Sequence, residues 1–60
     1  MNIAKVYLKE GGPVRINGAA SVASGEGDMI VIHSHDSGGN CRDTLIPRES
    51  IVTISVVYHD

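Results

Sequence analysis

Gly38 and Gly39 sit between two segments rich in β-branched residues, Asp28 to Asp36 and Cys41 to Ile46. Paired glycines supply the positive φ angles of a tight primed turn, so the stretch predicts a β-hairpin with these two glycines at its centre. On that register Ser37 faces Asn40, Asp36 faces Cys41, His35 faces Arg42, Ser34 faces Asp43, His33 faces Thr44, Ile32 faces Leu45 and Val31 faces Ile46. Opposed residues share a face, and faces alternate along each strand. One face then carries His33, His35, Arg42 and Thr44 above Val31 and Ile46, and the other carries Ser34, Asp36, Cys41 and Asp43 above Ile32 and Leu45. A slip of one residue would rearrange both sets.

The same composition runs through the rest of the chain. Val and Ile, which are stiff at χ1 and suit strands, dominate the apolar residues, and no window holds a helical period. Strands are expected over 2–10, over 14–17 continued after a break at Gly18 by 21–24, and over 29–36, 41–46 and 51–59, with turns at Gly11-Gly12-Pro13, Gly25-Glu26-Gly27 and Gly38-Gly39. Pro47 to Ser50 fits one helical turn, because proline is tolerated at a first helical position. The expected architecture is all-β: a single domain over 1–60, folded as a five-strand antiparallel meander or a small barrel with one helical turn before the last strand. In the first strand Ala4, Val6 and Leu8 alternate with Ile3, Lys5, Tyr7 and Lys9, as in a half-buried strand. In the last, Val52, Ile54 and Val56 are expected on one side. Met29-Ile30-Val31-Ile32 is apolar on both faces.

A chain of 60 residues buries only about 60% of its unfolded surface. Its core is marginal, and a second apolar face in so small a chain points to a second copy of itself, a homo-oligomer. The single cysteine excludes an internal disulfide framework and suits a reducing compartment. No stretch approaches the ~20 apolar residues of a membrane span, and the opening MNIAKVYLKE has no signal-like apolar run, so a cytoplasmic protein is expected. Net charge −2 with five dispersed Lys and Arg argues against a dense nucleic-acid surface. The absence of Trp and Phe argues against a stacking platform.

His33 and His35, two apart on one strand, lie within reach of a common metal ion. On the expected register, however, Cys41 and Asp36 lie on the opposite face and Arg42 stands beside His35, so no metal site is expected. His33, His35, Arg42 and Thr44 read better as an anion or nucleotide surface, with Asn40 at the adjacent turn and Arg15 and Arg48 reaching the ligand from strand ends or across a subunit boundary. A solvated hairpin tip is the plainer alternative. No serine sits in a nucleophile elbow, and no cofactor or enzymatic activity is expected.

KVYLKEGGPVRI, the strand DMIVIHSHD with its polar hairpin, and the closing LIPRESIVTISVVY together resemble small all-β phage proteins, among them the anti-CBASS sponges that hold a cyclic dinucleotide within small oligomers. The closing pattern also resembles SH3-like and Sm-like barrels, in which a helical turn precedes the final strand. The resemblance implies a phage-encoded, non-enzymatic protein that sequesters a nucleotide immune signal between subunits in the host cytoplasm. Two other expectations stand beside it: a docking module that inhibits a host factor through a sheet edge or apolar face, and a small RNA-binding barrel.

Overall fold

The computed structural model describes residues 2–58. It contains six strands: β1 (Ile3–Leu8), β2 (Val14–Asn17), β3 (Ala19–Ser24), β4 (Met29–His35), β5 (Cys41–Pro47) and β6 (Ile51–Val57), with a 3-10 turn at Arg48–Ser50 between the last two. These form two antiparallel three-stranded sheets, ordered β2-β1-β6 and β3-β4-β5. The all-β expectation and the single helical turn hold. The five-strand meander does not, and neither does a closed barrel, since the two sheets remain separate.

Gly18 is the physical reason for the sixth strand. It has φ +71° and turns the chain from β2 in the first sheet to β3 in the second. Its N–H donates to the Asn2 carbonyl at 2.8 Å, and its own carbonyl accepts from the His35 N–H at 3.0 Å. A Cβ at this corner would lie 2.1 Å from the His35 carbonyl oxygen, so only glycine fits. What reads in sequence as a break is a corner that transfers the chain between sheets.

Both sheets bury one face in a common core of Ala4, Val6, Ile16, Ala19, Ile32 and Ile46, flanked by Leu8, Val14, Ile30, Ile51, Ile54 and Val56. Ala4, Val6 and Leu8 of β1 face inward as expected, while Ile3, expected on the outer side, is buried as well. In β6, Ile54 and Val56 face the core as expected but Val52 does not, because a bulge opposite Tyr7 and Leu8 lets Ile51 pair with Leu8 while Val52 is left 66% exposed. Expected boundaries overran β1 at both ends and β6 at its end, where His59 lies outside the described residues.

Candidate functional site

The β4–β5 hairpin is built differently from the two-residue turn expected. The Asp36 N–H donates to the Asn40 carbonyl at 3.0 Å and the Gly39 N–H to the Asp36 carbonyl at 3.0 Å, so the loop proper is Ser37-Gly38-Gly39, with Gly39 at φ +81°. Three-residue loops of this kind end in a left-handed residue, and glycine supplies it. Asp36 organises the loop from within. Its Oδ1 accepts from the N–H groups of Gly38 and Asn40, both at 2.9 Å, and its Oδ2 accepts from Asn40 Nδ2 at 3.1 Å. These donors, the Asn40 N–H first and then its side-chain amide, hold the Asp36 carboxyl below its ordinary value; the Gly38 N–H and the charge of Arg42 act in the same direction.

The longer loop shifts β5 by one residue. His35 pairs with Cys41, Ser34 with Arg42, His33 with Asp43, Ile32 with Thr44, Val31 with Leu45 and Ile30 with Ile46. The expected face of His33, His35, Arg42 and Thr44 is therefore split. Ser34, Arg42 and Thr44 continue the inner face above Ile32 and Ile46, while His33, His35, Cys41 and Asp43 share the outer face with Val31 and Leu45. The placement of Cys41 and Asp43 apart from the two histidines is corrected with it.

The inner face opens into a cleft of about 760 Å³ between β2 and the hairpin, lined by Val14, Arg15, Ile16, Asn17, Gly18, Ser34, His35, Asp36, Ser37, Arg42 and Thr44. Arg15, Arg42 and Thr44 thus border one cleft within a single chain, whereas the sequence placed Arg15 at a strand end or across a subunit boundary from the ligand. Arg15 Nε donates to Asn17 Oδ1 at 3.1 Å, and the buried Ser34 hydroxyl donates to the Arg42 carbonyl at 3.4 Å. Among the described residues no carboxylate lies within ion-pairing distance of either guanidinium, the sole such pair being His33 with Asp43.

The other expected site residues are elsewhere or otherwise engaged. His35 borders the cleft, but its Nδ1 is 3.5 Å from Cys41 Sγ on the outer side. His33 is on the outer face, with Nδ1 2.5 Å from Asp43 Oδ1. Asn40 closes the loop onto Asp36. Arg48 is at the far end of β5, where Nη2 donates to Ser24 Oγ at 2.9 Å and the Arg48 N–H to the Asp28 carbonyl at 2.8 Å. Residues 43–47 run between it and Arg42, so six extended steps, roughly 20 Å, separate the two.

The apolar wall of Val14 and Ile16 and the buried Ser34 went unnoticed in the sequence. The signal for the register was present in Asp36 and Asn40, an Asx-type acceptor and a residue just after a left-handed glycine. No protein-family model matches the chain, and no curated protein or solved structure is significantly similar to it. Among the described residues no helix is long and apolar enough to cross a membrane.

Proposed function

We propose that this chain is a non-enzymatic binding protein that captures a small nucleotide-type anion in the cleft between β2 and the β4–β5 hairpin. One observation carries the reading: Arg42, on the inner face of the hairpin, lines the cleft with no carboxylate partner among the described residues, and Arg15, equally without one, borders it from β2, where it stands opposite Lys5 on the face away from Val14 and Ile16. Guanidinium groups left without acids present planar, paired N–H donors suited to phosphate oxygens. Val14 and Ile16 offer apolar surface to a base, and Thr44 offers a hydroxyl. The one acid on the rim, Asp36, has its oxygens occupied by loop donors, which limits its repulsion of an anion.

Capture of this kind acts by mass action: an abundant chain lowers the free ligand when its affinity exceeds that of the receptor. The cleft is open to solvent, and a second copy closing over it would enclose the ligand, which ties the binding role to a homo-oligomer. The likeness in pattern to phage nucleotide sponges leads to the same ligand class.

The test is calorimetric titration with mononucleotides, linear dinucleotides and cyclic dinucleotides against wild type, Arg42→Ala and Arg15→Ala. A charge-assisted hydrogen bond is worth about 1.5–3 kcal/mol, so each arginine variant is expected to weaken binding by ~10- to 150-fold with the fold intact. Undiminished affinity in Arg42→Ala removes the site.

A second reading is favoured by a different observation. Leu45 is 56% exposed on the outer face of the second sheet beside Val31, and β3 and β5 are its outermost strands. An apolar patch next to open strand edges suits docking to another protein. A docking module would move into a larger complex in host lysate and ignore nucleotides, whereas a nucleotide binder would gain thermal stability from its ligand and keep its size.

A further inference from the structure

The outer face of the hairpin carries a second group of reactive side chains, of which only His35 also borders the cleft. His33 and His35 lie two apart on β4, and Asp43 and Cys41 stand directly across from them on β5. All four therefore project to one side, away from the core. Arg42, which would oppose a cation, pairs with Ser34 on the inner face. The four residues are exposed, and Cys41 is a free thiol.

Two imidazoles, a thiolate and a carboxylate are donors that zinc takes in four-coordinate sites. Opposed Cβ atoms on a sheet are about 4.5–5.5 Å apart, and two steps along a strand add roughly 6.6 Å. That block is small enough for imidazole and thiol arms to meet above its centre. As they stand, the side chains are joined two and two, His33 Nδ1 to Asp43 Oδ1 at 2.5 Å and His35 Nδ1 to Cys41 Sγ at 3.5 Å. As placed, no group of three or more His, Cys, Asp or Glu side chains among the described residues is set to hold a metal ion. Convergence on an ion therefore requires rotation of these exposed side chains between staggered rotamers.

The His33–Asp43 contact assigns the roles. When the His33 Nδ1–H donates to Asp43, the Nε2 lone pair is left facing outward, the arrangement in which a carboxylate orients a metal-ligating histidine. We propose that the outer face of the β4–β5 hairpin binds a zinc-type divalent ion through His33, His35 and Cys41, with Asp43 as the positioning carboxylate and a fourth position open to water. Such an ion would clasp the two strands beside the loop, a staple of the kind small domains use where the core is thin.

The test uses the whole chain, stripped with a chelator and kept reduced, titrated with Co²⁺ and followed by absorption, then back-titrated with Zn²⁺. Tetrahedral d–d bands with a thiolate-to-metal charge-transfer band, saturating at one ion per chain, are expected. Cys41→Ser should lose the charge-transfer band, and His33→Ala and His35→Ala should each weaken binding at least tenfold. Asp43→Asn should weaken it by ~10- to 100-fold with the charge-transfer band retained. Arg42→Ala, on the opposite face, should titrate as wild type, and far-UV circular dichroism checks the fold of each variant. No charge-transfer band in wild type overturns the proposal, as does a Cys41→Ser variant that binds as tightly as its parent. Saturation at one ion per two chains overturns the assignment to a single hairpin.

Discussion

Two residues fix the geometry on which the cleft depends. At Gly18 the left-handed backbone alone would cost an alanine about 1–2 kcal/mol. The approach of a Cβ to the His35 carbonyl adds a clash that can be relieved only by loosening the Gly18–His35 hydrogen bond. Gly18→Ala is therefore expected to destabilise the chain by ~2–4 kcal/mol in urea melts, with Gly12→Ala, which has open space around its Cβ and no positive φ, changing little. At Asp36 the contribution is electrostatic and depends on pH. Loop donors hold its carboxyl below the ordinary 3.8, so its stabilisation is complete above that value and is lost as pH falls through the lower folded-state value. Asp36→Asn should weaken the loop at neutral pH and flatten the decline of stability below pH ~4 relative to wild type, measured as the midpoint of thermal unfolding across an acid series. A wild-type and variant pair with parallel acid profiles would show that the carboxylate does not organise the loop.

At the scale of elements, what could be read from the sequence depended on whether a strand's neighbours were decided locally. The inward alternation of β1 and the helical turn after Pro47 follow from nearby residues, and both are present. The register of β5 is set by a three-residue loop in place of a two-residue one, and paired glycines admit either. The Asp36 side chain decides between them by accepting two loop N–H groups. That single residue of slip puts Arg42 and Thr44 on the inner face and His33 and His35 on the outer one, so the residues expected on one face are divided between two. The bulge in β6 was invisible for a similar reason: Val52 and Ile51 are both β-branched and apolar, and only pairing with Leu8 selects Ile51 for the core. Core truncation separates the two registers. Ile46→Ala, at 8% exposure, should cost ~2–5 kcal/mol, while Val52→Ala, at 66% exposure, should cost ~0.5 kcal/mol or less. Equal losses at the two positions in denaturant melts would contradict the observed pairing.

The whole molecule is thin for its chemistry. Its principal extents are 30 × 22 × 15 Å, and the short axis leaves room for two sheets and one layer of side chains between them. With only that layer to hold it, a 60-residue chain has roughly 3–9 kcal/mol of stability by the usual per-residue range, so burial of a further apolar face would matter. The outer face of the second sheet is divided along its length: His33, His35, Cys41 and Asp43 occupy the loop end, and Met29, Val31, Leu45 and Pro47 the end near the 3-10 turn. Leu45 stands out in the apolar half at 56% exposure, on a position where the cross-strand neighbour is also aliphatic. If a second copy covers this half, a charge there disrupts assembly and leaves the fold of each chain intact, because Leu45 is no part of the core. Leu45→Glu is accordingly expected to sediment as a monomer at concentrations where the wild type is an oligomer, with unchanged far-UV circular dichroism. A wild type that is already monomeric across the same range has no copy on Leu45 and none over the cleft on the opposite face, and the affinity measured for the single chain then sets how abundant it must be to deplete a signal.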